Sequence, residues 1–491
     1  MTALPADTDT QDIDALARGG RTNILGFLIR LAARVPFLII GGRIYGAAIL
    51  GRMAYACLII ELTAQIATMG LRRGLALQLS KTDANANHEV WDGLLLSLIV
   101  AAPMIVLLAL FPRIMFPNSE INRLDQLIPL VAIALSLSEI MLAALAFKFD
   151  IGATVRARAI VEPWVIAISA WIFSYGFLRD GLLMAYATSL VAGLITATIP
   201  FVKSFGMPRG WTPHPIRMAR LARRNLPLAA ADAIEWATRR IDLAILGLFV
   251  APATVGIYFI AQHVATVPQR LKISFDPILG PVVTRNLEAG KLNAVANQIS
   301  QVGFWIMSVQ AGIAVALGMA AAGVLGLVGP QFVGAQMALI FLLLAEVMAS
   351  AGAVSESALV YIARHRNLLI SSFVLAVQAG LTALLVLAVR REGWGAEHLA
   401  AAPALAMVIA LTCGSLLKMR LASKLLATQL TVWRWPVLVA VIAAGGVGWG
   451  FNQTPEWSAL LFGIPAMLGA YALAMWKFGF AAEDRALFRR A

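Results

Sequence analysis

Charged residues and cysteine are both scarce in this sequence, and each scarcity excludes a class of protein. Asp, Glu, Lys and Arg make up only 13% of the 491 residues, whereas a soluble globular chain carries about 25%. The two cysteines, Cys57 and Cys413, both lie inside long apolar runs, so they form neither a disulfide framework nor a metal-binding pattern. We therefore expect neither a soluble globular protein nor a cysteine-built scaffold, and no metal or cofactor.

Long apolar segments dominate the chain. Hydrophobic residues make up 60% of it, and the mean hydropathy is +0.81. Runs of roughly 20 apolar residues recur from end to end, which is the length that a helix needs to cross a bilayer. The sequence predicts an all-α, polytopic membrane protein with about fourteen transmembrane helices. We place them at 22–42, 46–70, 91–111, 124–147, 156–178, 181–202, 226–250, 252–274, 301–327, 335–360, 367–389, 397–417, 435–451 and 457–476.

Basic residues are distributed unequally between the loops on the two sides of the predicted membrane. Most of the 39 Lys and Arg lie in one set of loops and in the tails, and such an excess marks the cytoplasmic side. Both termini are therefore expected in the cytoplasm. The N-terminal residues 1–21 lack an apolar segment, so we expect no cleavable signal peptide. The opposite loops hold few basic residues: Arg43, Arg113, Arg123, Arg179, Arg390 and Arg391.

The loops are too short and too dispersed for a nucleic-acid site or a catalytic domain. The net charge of +13 comes from basic residues spread between spans, so no nucleic-acid partner is expected. The longest outer loop is 112–123. No zinc-ligand spacing, GxSxG sequence, P-loop or paired-carboxylate outer loop occurs. The pattern favours a membrane transporter over an enzyme, with any binding inside the membrane or at its surfaces.

The two halves of the chain repeat each other at low similarity. A shift of 205 positions aligns IGGRIYGAAILG at 40–51 with ILGLFVAPATVG at 245–256, and it aligns Arg34 with Arg239. The same shift places a long predicted loop at 71–90 on another at 276–300. Six spans precede the basic linker, so the repeat is parallel, and transporters of this kind bind substrate between their halves.

The repeat defines the predicted organisation: two pseudo-symmetric six-helix lobes plus two C-terminal helices. The basic linker between the lobes is expected to form a surface helix on anionic lipid headgroups. The segments are a cytoplasmic tail at 1–21, an N-lobe at 22–202, the linker at 203–225, a C-lobe at 226–417, the additional helices at 418–476 and a cytoplasmic tail at 477–491.

The seventh predicted span begins with an unusual concentration of charge. The stretch DAIEWATRRID contains Asp232, Glu235, Arg239, Arg240 and Asp242. A charge at the bilayer centre costs about 2.5–3.5 kcal/mol on insertion scales, so this face must contact water or protein rather than lipid. Local pairing of Glu235 with Arg239, four positions apart, is one explanation. An anion-binding cavity is the other.

Arginines of the first two spans extend the same argument. Arg30 and Arg34 have no acid within four positions, and the repeat makes Arg34 equivalent to Arg239. A surplus of guanidinium groups facing a cavity indicates an anionic ligand, because Arg binds phosphate through two parallel hydrogen bonds. The candidates are therefore Arg30, Arg34, Arg239 and Arg240. Arg52 is a further candidate, although it lies near enough to the outer interface to snorkel.

Several buried acids are candidates for ion coupling. Glu61 shares a helix face with Gln65 and Thr68, and together with Asp232, Glu235 and Asp242 it could carry a proton or Na⁺. Structural hydrogen bonding between helices is the alternative for each. Aromatic residues of the fifth and sixth spans could stack on sugars, although interface anchoring is the favoured explanation: Trp164, Trp171, Tyr175 and Tyr186.

The chain resembles the polysaccharide flippases of the Wzx type, a branch of the multidrug/oligosaccharidyl-lipid/polysaccharide (MOP) exporter superfamily. The resemblance spans essentially the whole chain. It rests on TNILGFLIRLAARVPFLIIGGRIYGAAILG, on RRIDLAILGLFVAPATVGIYFIAQ and on FDPILGPVV. It implies a MATE-like fold, with two lobes alternating about a central cavity that holds the diphosphate of a lipid-linked glycan. The two additional helices are similar to the pair that the lipid II flippase branch uses for a lipid tail.

The resemblance implies a bacterial inner-membrane flippase for a polyprenyl-diphosphate-linked oligosaccharide, used in exopolysaccharide, capsule or O-antigen synthesis. Membrane lipids, a glycan polymerase and export machinery are the implied partners. Two alternatives of the same fold stay open, a lipid II flippase and a cation-coupled multidrug antiporter. A membrane glycan polymerase is disfavoured because no large outer loop is present.

Overall fold

The computed structural model describes residues 34–80, 86–208 and 210–480 as a helical chain. Within these ranges, nine helical segments are long and apolar enough to cross a membrane. The predicted all-α, polytopic class is therefore confirmed. Arg30 lies outside the described residues, as does most of the first predicted span.

The chain divides into two compact units, Met1–Trp236 and Ala237–Ala491. The helices of unit 1 are 34–45 (α1), Gly46–Ala67 (α2), Leu71–Leu79 (α3), Ala86–Leu110 (α4), Arg123–Phe147 (α5), 151–173 (α6), Gly181–Phe205 (α7) and the first part of Pro215–Phe249 (α8). The remainder of α8 belongs to unit 2, so the division falls inside one continuous helix.

Unit 2 continues with a second series of long helices. They are Pro252–Glu288 (α9), Leu292–Met319 (α10), Gln336–Ile362 (α11), Arg364–Arg391 (α12), Ala396–Leu426 (α13), Pro436–Phe451 (α14) and Glu456–Gly479 (α15). A short helix, Ala321–Val328, and a 3-10 helix, Pro330–Ala335, connect α10 to α11.

Several helices extend well beyond the apolar segments that predicted them. The loop expected at 71–90 contains α3 and the start of α4, and the loop expected at 276–300 is helical except at 289–291. Those loop predictions were wrong because hydropathy marks the hydrocarbon core, whereas backbone hydrogen bonds continue a helix through polar residues. α9 instead ends at Glu288, and Gly290, with φ +68°, provides the left-handed residue just beyond this C-terminus.

Matching turns mark the start of each half. Gly46, with φ +82°, separates α1 from α2, and residues 250–251 separate α8 from α9. The shift of 205 positions that aligned the sequences also aligns these two turns. A glycine is required at the first turn because a side chain there would strain a positive φ.

The two halves differ at the end of their second helix. In unit 1, Gly70 adopts φ +71° and breaks the chain between α2 and α3, whereas α9 is continuous through the equivalent position. A Cβ on Gly70 would lie 2.6 Å from the backbone nitrogen of Ala229. Gly74, one turn later, lies against the side chain of Asn225. These two glycines let α8 approach the α2–α3 corner closely.

The basic linker is anchored to unit 1 through a buried acid. Asp92 of α4 accepts hydrogen bonds from Trp211 Nε1 at 2.8 Å and from Arg217 Nε. The hydrogen bond with Asp92 raises the pKa of Arg217. Met218 and Leu221 enter the hydrophobic core formed by α3, α4, α5 and α7. The start of α8 is therefore an amphipathic helix whose inner face packs on protein.

The two C-terminal helices pack on α10 within unit 2. The ring of Tyr471 lies against Gly312, where an added Cβ would be 2.8 Å from Cδ1, and its hydroxyl donates to the carbonyl of Ser308 at 2.7 Å. Val437, Ala440, Ala444 and Met467 complete this core with Phe304 and Met307. A small residue on α10 thus allows close packing of the additional pair.

Candidate functional site

Unit 1 encloses a polar cavity of about 310 Å³. Residues from α2, α3, α5, α6, α7 and α8 line it, and they combine polar with apolar surface. Its polar and aromatic lining residues are Glu61, Gln65, Thr68, Arg72, Glu139, Arg158, Glu162, Tyr186 and Trp236. This charged cavity inside an apolar helical unit is therefore a candidate binding site.

One face of α2 supplies a wall of the cavity. Glu61, Ala64, Gln65 and Thr68 are spaced by three and four positions, so they fall on the same side of the helix. The sequence predicted this shared face for Glu61, Gln65 and Thr68. Since Glu61 lies at a cavity and not towards lipid, its placement is compatible with the predicted coupling role, which stays a prediction.

Arg158 is held between two carboxylates on the opposite side. Its Nη2 lies 2.8 Å from Glu139 Oε1, and its Nη1 lies 2.6 Å from Glu162 Oε1. Nη2 also donates to Ser138 Oγ at 2.9 Å. The guanidinium thereby cross-links α5 to α6, and its fork geometry suits this two-carboxylate arrangement.

The backbone around Arg158 is specialised. Residues Val155–Val161 form a π-helix inside α6, and such insertions occur frequently at functional sites. Gly193 of α7 faces Glu162, whose Cγ would lie 2.8 Å from an added Cβ. Any larger residue at Gly193 would displace the Glu162 carboxylate from Arg158.

Three donors of the lining have no acceptor among the described residues: Gln65 Nε2, Arg158 Nε and Trp236 Nε1. All three atoms are buried. A buried donor without a partner costs about 1–3 kcal/mol. Groups left in this state next to a cavity are suited to bind a ligand that brings acceptors.

The charge balance of this cavity is slightly acidic. Glu61, Glu139 and Glu162 face Arg72 and Arg158, which leaves one carboxylate in excess when all five are ionised. A diphosphate would meet net repulsion here. This cavity is therefore different in character from the Arg-rich diphosphate site expected from the sequence.

Asp232 lies at the corner between α3 and α8. Its buried carboxylate Oδ1 is 2.9 Å from Arg73 Nε, which is about half exposed. The pair stabilises the close contact that Gly70 and Gly74 allow. The nearby Glu235 belongs to α8, and its side chain lies outside the described atoms. Asp232 therefore has a structural partner, and its coupling role stays a prediction.

Asp242 forms a compact hydrogen-bond cluster in unit 2. Its Oδ2 accepts from the hydroxyl of Tyr258 and from Gln262 Nε2 at 2.7 Å, and its Oδ1 accepts from the backbone of Leu243 at 2.8 Å. Its side chain is fully enclosed. The cluster joins α8 to α9 across the turn at 250–251. This arrangement is typical of a structural hydrogen-bond network.

The arginines predicted to bind phosphate have different surroundings. Arg239 is exposed, whereas Arg34 and Arg240 are half-buried. Arg34 belongs to unit 1, and the other two belong to unit 2. Their assignment as phosphate ligands stays a prediction.

Arg52 is occupied by a buried ion network. Its Nη1 lies 3.0 Å from Asp180 Oδ1, and its Nη2 pairs with Asp125. Asn122 caps α5 and donates to Asp180 Oδ2 at 2.7 Å. The guanidinium also covers the ring of Phe116 at 4.6 Å. Arg52 thus links α2 to α5 and to the residue before α7, and two carboxylates balance its charge; its assignment as a phosphate ligand stays a prediction.

Sequence reasoning missed Arg158 as a site residue, because it counted this arginine among the basic residues at the cytoplasmic end of the predicted span 156–178. Glu162 follows Arg158 by four positions, and an Arg–Glu pair at that spacing inside an apolar segment was the signal available. Within the described residues, no group of three or more His, Cys, Asp or Glu side chains could hold a metal ion.

Comparisons with solved structures identify the fold. The lipid II flippase MurJ in an inward closed conformation matches 95% of this chain and 100% of its own, with TM-score 0.73 and 11% identity. A multidrug resistance MATE transporter of the MOP superfamily, in an inward-facing conformation, matches 82% of this chain and 99% of its own, with TM-score 0.63 and 14% identity.

A third match is a MOP superfamily transporter from Pyrococcus furiosus, described as having a binding pocket of reverse polarity. It matches 84% of this chain and 95% of its own, with TM-score 0.55 and 13% identity. The sequence matches no protein-family model, and a comparison with curated proteins finds no match. The structural similarity extends over both units, and this multi-pass membrane protein has the fold of the MOP superfamily transporters.

Proposed function

We propose that this chain is a flippase that moves a polyprenyl-diphosphate-linked oligosaccharide from the cytoplasmic to the periplasmic leaflet of a bacterial inner membrane. The polar headgroup crosses by alternating access while the polyprenyl chain stays in lipid, and no covalent bond changes. The product supplies exopolysaccharide, capsule or O-antigen synthesis, with a glycan polymerase and export machinery as partners.

The extent of the structural match carries this proposal. The lipid II flippase is covered completely and leaves 5% of this chain unmatched, whereas the multidrug transporter is covered almost completely and leaves 18% unmatched. The part of this chain that the multidrug transporter leaves unmatched is thus mostly matched by the flippase, whose named substrate is lipid II. This observation favours a lipid-linked substrate over a soluble drug.

The proposed diphosphate contacts are Arg30, Arg34, Arg239 and Arg240. Each guanidinium can donate two parallel hydrogen bonds to phosphate oxygens. Arg52 is the least favoured of the predicted contacts, because Asp125 and Asp180 already pair with its guanidinium. Among the coupling candidates Glu61, Asp232, Glu235 and Asp242, Glu61 is favoured because it lies at a cavity.

A lipid II flippase is the second candidate, because the lipid II flippase match covers nearly the whole chain. A strain in which the gene is depleted separates the candidates. A glycan flippase predicts lost surface polysaccharide, accumulated lipid-linked intermediate and rescue by the wild-type gene. If depletion is lethal, removing the glycosyltransferase that starts the surface glycan restores growth only for a glycan flippase. Normal glycan with new drug sensitivity contradicts both and supports the antiporter.

A further inference from the structure

We infer that the cavity of unit 1 binds one saccharide residue of the transported glycan, through hydrogen bonds and aromatic contact. This inference rests on the proposed function, since it assigns part of the substrate to a named site. The cavity of about 310 Å³ lies at the lower end of the range for small-molecule sites, roughly 300–1,000 Å³. That volume suits one sugar ring better than a whole oligosaccharide.

The hydrogen-bonding groups of the lining match those of a sugar. Each hydroxyl of a sugar donates one hydrogen bond and accepts others. Gln65 and Trp236 supply N–H donors that have no acceptor among the described residues. The carboxylates of Glu61, Glu139 and Glu162 supply acceptors at the same cavity. A sugar satisfies both kinds of group at once.

The polar groups are pre-positioned. Arg158 is fixed by Glu139 at 2.8 Å and by Glu162 at 2.6 Å, so the three side chains form a cross-linked group. Such fixed geometry reduces the ordering that binding requires. A ligand of fixed ring shape is better matched to this group than a flexible chain.

Aromatic side chains complete the site. Trp236 and Tyr186 both line the cavity, and each combines an apolar ring with a polar end. Two aromatic residues at the end of α6 and just beyond it do not line the cavity: Trp171 is half exposed and Tyr175 is mostly exposed. Ala64, Leu135 and Leu190 add aliphatic surface to the lining, which suits the C–H face of a sugar ring.

Charge sets the class of sugar. The lining has three carboxylates against two guanidinium groups, so a neutral sugar or an amino sugar is favoured over a uronic acid. A carboxylate on the sugar would lie among like charges, and such juxtaposition is strongly unfavourable. The site therefore discriminates by charge as well as by shape.

Tryptophan fluorescence of the purified full-length protein tests this inference. The probes are a neutral hexose, a 2-amino-2-deoxyhexose and a hexuronate. We expect saturable quenching by the first two, and binding of the hexuronate weaker by about tenfold or more. Trp236→Phe removes the signal. Trp171→Phe, the same change on the exposed side of α6, retains it. Gln65→Leu weakens binding by about tenfold.

The inference is overturned if neither the neutral hexose nor the amino sugar gives saturable quenching. Unchanged quenching in Trp236→Phe also overturns it, as does binding of the hexuronate that equals binding of the other two sugars. The flippase proposal is scored separately in the depletion strain. Lost glycan on depletion, with normal export by Trp236→Phe and Gln65→Leu and no saccharide binding, refutes the saccharide site alone. Normal glycan on depletion, with saccharide binding intact, refutes the flippase proposal alone.

Discussion

Arg158 Nη2 lies 2.8 Å from Glu139 Oε1, so the π-helical segment Val155–Val161 of α6 is paired with α5. Together with Glu162, the pair cross-links α5 and α6 at the wall of the unit-1 cavity. Charge inside this unit is therefore largely paired within a cluster that carries a small excess of carboxylate.

Arg158→Ala should destabilise the protein by about 3–5 kcal/mol, because it leaves two largely buried carboxylates without their counter-charge. The measurement is the free energy of unfolding in detergent. Arg156→Ala is the matched control, since Arg156 is more than half exposed and lies 3.7 Å from its acid, Asp150. An equal loss in both variants would show that the buried pair has no special role.

Arg52→Ala should also destabilise the protein by about 3–5 kcal/mol, because the change leaves Asp125 and Asp180 without their counter-charge. The double variant Arg52→Met with Asp125→Leu should lose less than the sum of its single changes, because the two residues are coupled. Thermal unfolding of the four proteins measures the coupling. The exposed Arg123, on the same loop, provides the control Arg123→Ala. Strict additivity would contradict the network.

Asp242→Asn should weaken the junction of α8 and α9 by about 1–3 kcal/mol, because a buried hydrogen-bond partner is altered. Tyr258→Phe should cost a similar amount, and the double variant should cost no more than the larger single change. Thermal unfolding is again the measurement. If Asp242→Asn retains full stability but abolishes transport, the carboxylate acts in ion coupling and not in structure.

Arg34→Ala and Arg239→Ala should each reduce surface glycan in the complemented depletion strain while membrane insertion is unchanged. The reason is loss of a bidentate phosphate contact, so Arg→Lys should rescue only in part. Surface glycan and membrane protein abundance are measured together. Arg391→Ala, at an exposed helix end, is the control. Full glycan in both Ala variants would refute the diphosphate assignment.

The sequence by itself determined the fold class and which segments of the chain are helical. Apolar runs of bilayer length leave no alternative to helices, because the backbone must satisfy its own hydrogen bonds in lipid. A helix occupies each predicted span from 46–70 onward. The shared face of Glu61, Gln65 and Thr68 also followed directly, since helical periodicity is a local property.

Only the tertiary structure decided which charges are neutralised. Arg52 finds partners 73 and 128 positions away, and Arg158 finds Glu139 in a different helix. Contacts at such separation depend on how helices pack, which hydropathy does not encode. The same holds for the close approach of Asn225 to Gly74. The packing of the helices, and not the residue type, therefore decides whether a buried charged side chain binds a ligand or forms an ion pair between helices.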